Sequence, residues 1–357
     1  MTPVHSEGTG TKGASFQRPE LANFLANEKI KPAKEIAFTK DIVRGGTDSF
    51  LMKIIKANSS LKAYFKDNGY PHTLNGEKFK VKSTLTEIGR YKFVCLAEDE
   101  TSASKNLVVI KFPKSATDAE LCRKLLFEYM MQDHAHTCTY HGMCTVPKPL
   151  GFIRYDISNY IMGEKGLAYL FVSTFCPVDP GASITLDLKR ALRLHSFKPI
   201  LTVMEWKNIC KYLIEGFESL QKNDIYHNNV RSSDVLLQFY ENSVQPVIIG
   251  FSSSSREGEM NIDPSQPPPQ SFYPNTGMAT LTSPHVAPEL FQQPHPLPTS
   301  DLYGVAHIIE EISRALGLLR TMTLMQNFRQ MNPRARDGFG TLKRKTEQQL
   351  NTDMQTR

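Results

Sequence analysis

A chain of 357 residues with 40% apolar side chains can bury a sizeable core as one large domain or two ordinary ones, which excludes a disordered protein. Its net charge of +6 is spread along the sequence rather than gathered into a stripe, so nothing indicates a nucleic-acid footprint. Six cysteines without an apolar secretory segment fit a reducing compartment, and no apolar run approaches the ~18–20 residues that span a bilayer. The expectation is a cytoplasmic protein with no membrane and no nucleic-acid partner.

Residues 1–34 are rich in Gly, Thr, Ser, Lys and Pro without periodicity and read as a disordered tail. Residues 35–78 read as a helical N-terminal extension, because Phe50, Leu51, Ile54, Ile55, Leu61 and Phe65 recur at helical spacing. From Phe79 the pattern changes to short β-rich runs: KFKVKSTLTEI, YKFVCLAED and NLVVIKF. An acidic-started helix, DAELCRKLLFEYMMQ, follows, and then two more strands, PLGFIRY and LAYLFVSTF. After Pro180 helical patterns take over: SITLDLKRALRLH, EWKNICKYLIEGFESLQ and SDLYGVAHIIEEISRAL. The division predicts a β-rich lobe of five strands and one helix over 79–176, a hinge near 176–182, and an α-rich lobe over 182–340. A Ser- and Pro-rich stretch between Ser252 and Ser283 reads as a long loop. The densest basic stretch, from Arg334 to Lys345, reads as a solvated face or tail, and residues 341–357 as a basic, polar C-terminal tail.

Within this order five motifs stand in sequence, over roughly residues 79–340. VVIK ends at Lys111 on a predicted strand, and Glu128 lies 17 positions on, in the next helix. IYHNNVRSSDVLL, at Ile225–Leu237, follows a long amphipathic helix. VIIGFSS follows at Val247–Ser253, HVAPEL at His285–Leu290, and DLYGVAHII with NPRAR near the end. Together these resemble the protein kinase family, with its bilobal α+β fold.

The resemblance implies roles residue by residue. Lys111 would reach the ATP phosphates and pair with Glu128, and Gly89 and Val94 match one glycine and the valine of the glycine-rich loop. Glu87 and Lys92 stand where that loop's other glycines belong, so nucleotide affinity is expected to be weak or absent. His227 matches the catalytic-loop histidine. Asn228 replaces the arginine, and Asn229 the aspartate that takes the substrate proton; an amide oxygen is not basic at neutral pH. Arg231 stands where many kinases carry a cation, and Asp234 replaces the metal-binding asparagine and remains a candidate cation ligand. Gly250, Phe251 and Ser252 occupy the D-F-G positions, so the main Mg²⁺ ligand is lost at Gly250. Glu289 with Arg336 would form a buried ion pair, and Asp301 would brace the catalytic-loop backbone. The 35 positions between Asp301 and Arg336 are few for the family, so a helix that often docks peptide substrates is expected to be reduced.

The expectation is therefore a catalytically impaired pseudokinase that serves as a scaffold or allosteric signalling module for other proteins, for instance another kinase. ATP would bind weakly at most, and Mg²⁺ would lack its main ligand. The alternative is an unusual active protein kinase that transfers the γ-phosphoryl group of ATP to Ser, Thr or Tyr hydroxyls. A separate cluster, His134, His136, Cys138, His141 and Cys144, has side chains suited to Zn²⁺, but its spacing matches no standard finger and incidental exposure is the preferred reading.

Overall fold

The structure, a computed structural model, describes residues 49–68, 79–86, 92–99, 107–113, 119–139, 142–156, 167–174, 184–240, 242–256, 284–291 and 297–355. The expected disordered tail over 1–34, the hinge at 176–182, Glu87, Gly89 and His141 lie outside these residues.

Two short helices, α1 (Ser49–Ala57) and α2 (Ser59–Asn68), come first. Five strands and one long helix follow: β1 (Phe79–Thr86), β2 (Lys92–Asp99), β3 (Leu107–Pro113), α3 (Ala119–Thr139), β4 (Pro149–Asp156) and β5 (Leu167–Thr174). The strands form one sheet in the order β1-β2-β3-β5-β4, antiparallel throughout. Alternation sets its two faces: Cys95 and Ala97 on β2 lie opposite Ile110 and Val108 on β3, and all four are buried. One residue out of phase, Val94 lies opposite Lys111. Helices α1 and α2 cover α3 through Ile54, Ile55, Leu61 and Phe65, with the Phe65 ring stacked on Tyr129 and the Tyr64 hydroxyl donating to Asp133 at 2.5 Å.

The α-rich lobe opens with a difference from the sequence reading. SITLDLKRALRLH is not helical throughout: Ile184–Asp187 is a strand, β6, and α4 begins only at Leu188 and runs to Phe197. Asp187 is the reason, because its carboxylate accepts from the Arg190 backbone N–H at 2.8 Å and caps the helix start. The helix α5 (Val203–Lys222) is fixed at its start by a capping box, Thr202 with Glu205. It buries Trp206, Ile209, Cys210, Leu213, Ile214, Phe217 and Leu220 at helical spacing. Short strands follow: β7 (Ile225–Tyr226) and β8 (Val235–Phe239), which frame IYHNNVRSSDVLL, then β9 (Val244–Ile248) and β10 (Ser255–Arg256), with β6-β8-β9 and β7-β10 paired. The lobe closes with α6 (Ser300–Ala315), the ten-residue α7 (Leu319–Phe328) and α8 (Phe339–Gln355).

The expected C-terminal tail over 341–357 is corrected by α8, which extends the lobe beyond residue 340. Phe339, Leu342, Thr346, Leu350 and Asp353 are buried at helical spacing. Asp353 accepts from the Thr321 backbone N–H at 3.2 Å and from its hydroxyl at 2.8 Å, and Lys343 pairs with Glu215 at 2.6 Å. Of the basic residues that suggested a tail, Arg344 and Lys345 are exposed on α8 and Lys343 is half-buried beside Glu215, while Arg336, earlier in the same basic stretch, is buried. One apolar core runs through both lobes, from Ile54 and Ile55 through Phe171 and Trp206 to Leu350.

Candidate nucleotide cleft and catalytic loop

Strand β3 and helix α3 bring Lys111 and Glu128 together at 2.8 Å, with 7% and 1% exposure. The Lys111 ammonium also lies 4.6 Å from the centroid of the Phe171 ring on β5 and donates to Gln132 Oε1 at 3.2 Å. Two buried opposite charges in contact compensate each other's desolvation. Val94 is half-buried across the β2–β3 ladder from the lysine.

The catalytic-loop motif follows β7. The Asp301 carboxylate, at the start of α6, accepts from the backbone N–H of His227 at 2.6 Å and of Asn228 at 2.7 Å. Burial pushes the Asp301 carboxyl up, and the neighbouring His227 charge and these two N–H groups act against that rise. His227 packs edge-on against Phe251, ring centroids 5.1 Å apart, and its Nε2 lies 2.8 Å from the Ile249 carbonyl, to which it donates. Asn228 takes a positive φ of 64°, which asparagine tolerates, and its amide donates to the Ser253 carbonyl and the Ser255 hydroxyl at 3.0 and 2.9 Å. The Asn228 amide thus ties the loop to the segment after Phe251.

The Asn229 amide oxygen lies 3.2 Å from His285 Nε2. An amide oxygen only accepts, so His285 carries its proton on Nε2. Burial, with the Arg231 and His307 charges beside it, pushes the His285 imidazole down to about 4. It is therefore neutral at physiological pH. Arg231 Nε donates to Asp234 Oδ2 at 2.9 Å. The Asp234 carboxylate lies against Gly250: a Cβ there would come within 3.0 Å of Asp234 Oδ1, and Gly250 has a φ of 91°. A side chain at 250 would meet both that carboxylate and backbone strain.

This donor set does not fit a magnesium ion bridging phosphates. Of the two positions that would hold it, one is a glycine and the other a carboxylate already engaged by Arg231. The cation at Lys111 does suit an anionic ligand, and Val94 suits an apolar wall. Among the described residues no group of three His, Cys, Asp or Glu side chains could hold a metal. The described members of the His134–Cys144 cluster have separate partners: His136 Nδ1 contacts the Val146 carbonyl at 2.7 Å, the His134 ring meets Tyr64, and Cys144 packs against Gly216.

Below the loop, Arg336 makes two bonds to Glu289, at 2.6 and 2.8 Å, with side-chain exposures of 0% and 3%. Ser300 donates to the same carboxylate at 2.8 Å, and the guanidinium lies 4.9 Å from the Tyr303 ring. The structure thus groups the sequence-selected residues in three places: Lys111 with Glu128 in the β-rich lobe, His227 to Asp234 with Gly250, Phe251 and Asp301 at the loop, and Glu289 with Arg336 beneath. Two participants escaped the sequence reading. Gln132 could have been found, since it lies one turn after Glu128 on the same helix face; His285 gave no signal beyond its place before Ala287.

A five-stranded antiparallel sheet with one helix after its third strand, followed by a lobe of helices, is the bilobal α+β arrangement of a protein-kinase-like fold. No protein-family model matches the chain, and no curated protein does. Among solved structures, it is similar to crystal structures of the Mycobacterium tuberculosis PknI kinase domain. A double mutant of that domain is 15% identical over 80% of this chain and 98% of that one, with a TM-score of 0.47. The PknI kinase domain in a second crystal structure is 14% identical over 79% and 98%, with a TM-score of 0.46. Among the described residues no helix is long and apolar enough to cross a membrane.

Proposed function

We propose that this chain is a kinase-fold module without efficient phosphoryl transfer, which acts by binding other proteins and takes up ATP weakly or not at all. The observation that carries this reading is the Gly250–Asp234–Arg231 arrangement. Phosphoryl transfer depends on fixed charges around the moving group. Here one metal-ligand position has no donor, the other carboxylate is held by a guanidinium, and the proton-acceptor position is an amide bonded to His285. The fold's bracing does not depend on these groups, so a partner-binding surface can persist without them. Lys111 would be the contact to phosphates if a nucleotide enters, and Val94 an apolar contact.

Thermal unfolding with ATP, with and without Mg²⁺, tests this, because a ligand that binds only the folded state raises its stability. The expected result is a small ATP shift or none, and no increment from Mg²⁺. A clear Mg²⁺-dependent increment contradicts it. One observation favours a second reading, an unusual active kinase: the Lys111–Glu128 pair is formed and buried. That reading requires transfer that disappears in Lys111→Ala.

A further inference from the structure

Gln132 is a polar residue with 2% exposure, on the face of α3 one turn beyond Glu128. A buried amide is costly unless both of its ends are bonded. Here both are: Nε2 donates to the Pro147 carbonyl at 2.8 Å, and Oε1 accepts from the Lys111 ammonium at 3.2 Å. Gln132 therefore links three elements, β3 through Lys111, α3 itself, and the turn that leads into β4.

The consequence falls on Lys111. An ammonium has three N–H donors. Within the protein it meets the Glu128 carboxylate at 2.8 Å, the Gln132 amide oxygen at 3.2 Å and the face of the Phe171 ring at 4.6 Å. The cation expected to meet nucleotide phosphates is thus surrounded by protein groups that satisfy it without a ligand. A phosphate oxygen arriving there would have to displace the Gln132 oxygen. The amide cannot swing aside freely, because its other end is bonded to Pro147, and a displaced buried oxygen would be left without a donor.

We propose that Gln132 is a positioning residue that occupies the Lys111 ammonium in place of a phosphate oxygen and so sets a low affinity for nucleotides. The proposal builds on the reading above that nucleotide phosphates would meet Lys111, and it adds the residue that opposes them. Gln132→Met keeps the length and bulk of the side chain while removing the oxygen.

The test is calorimetric titration of the full chain with ATP and, separately, with adenosine, which has the base and sugar but no phosphate. For ATP, Gln132→Met is expected to bind about tenfold more tightly than wild type, the scale of one hydrogen bond to a charged group. Adenosine is expected to bind both proteins equally, and the double variant Lys111→Ala/Gln132→Met should show no gain. Equal ATP affinity in wild type and Gln132→Met, including none detectable in either, overturns the proposal. So does an equal gain for adenosine, which would mark a general change in the cleft. Should Gln132→Met fail to unfold cooperatively, Gln132→Leu carries the same expectation and the same overturning outcomes. Phosphoryl transfer by the wild type would break the non-catalytic reading and leave the Gln132 result standing.

Discussion

Two sets of polar groups lie within the same α-rich lobe, and they have been treated in opposite ways. The bracing set, Glu289 with Arg336 beneath the loop and the Asp301 carboxylate on two of the loop's backbone N–H groups, is buried and bonded at 2.6–2.8 Å. At the loop itself, the groups that would act on a phosphoryl group are an amide at Asn229, a glycine at 250 and a carboxylate at Asp234 bonded to Arg231. The first set holds the chain in shape, so losing one partner exposes the other to an uncompensated interior. The second set is bonded more loosely, Asp234 to a half-exposed Arg231 and Asn229 to a neutral His285, so changing one of its members leaves no deeply buried orphaned charge. The bracing of the fold is therefore separable from the groups at the loop, and the contrast can be measured as a difference in stability.

The largest effect is expected at Arg336. Arg336→Ala leaves the Glu289 carboxylate buried without its guanidinium and should cost about 3–5 kcal/mol in denaturant unfolding. Asp301→Asn comes next, at about 2 kcal/mol, because a charged acceptor of two backbone N–H groups becomes a neutral amide with one acceptor oxygen. Gly250→Ala should cost about 1–2 kcal/mol, from a left-handed φ and the approach to Asp234. Asn229→Ala removes one neutral hydrogen bond and should cost about 1 kcal/mol or less. The contrast breaks if Asn229→Ala proves as damaging as Arg336→Ala.

A separate effect concerns pH and sharpens the loop side of the comparison. The unfolded state protonates His285 near its ordinary pKa of about 6.5, whereas the folded state does so only near about 4. Between these values the unfolded chain holds more protons, so the contribution of His285 is present above about pH 6.5 and is lost as pH falls toward about 4. His285→Gln should therefore flatten the fall of the thermal midpoint across that window. An unchanged slope would mean that His285 is not held neutral against Asn229.

Much of the frame was legible because it rests on periodicity. The alternation of Cys95 and Ala97 against Val108 and Ile110, and the spacing of Trp206 to Leu220, are direct consequences of burying one face. Reading failed where charge or ambiguity masked a period. Phe339, Leu342, Thr346 and Leu350 are spaced for a helix, but the lysines and arginine between them suggested a tail. Ile184, Leu186 and Leu188 fit a strand and a helix start equally, and the cap at Asp187 decides between them. Lys111, Glu128, Asp234, Asp301, Glu289 and Arg336 could be selected by motif spacing, yet the bond from Arg231 to Asp234 and the role of Gln132 depend on side-chain packing across elements. Sequence order does not carry those contacts.

The most direct test of the central claim is transfer of radiolabelled γ-phosphate from ATP to the protein itself and to generic protein substrates, with Mg²⁺ or Mn²⁺, in wild type and Lys111→Ala. The account predicts no transfer by either protein. Transfer by the wild type that is lost in Lys111→Ala would contradict it and would mean that Asp234 holds the metal despite Arg231.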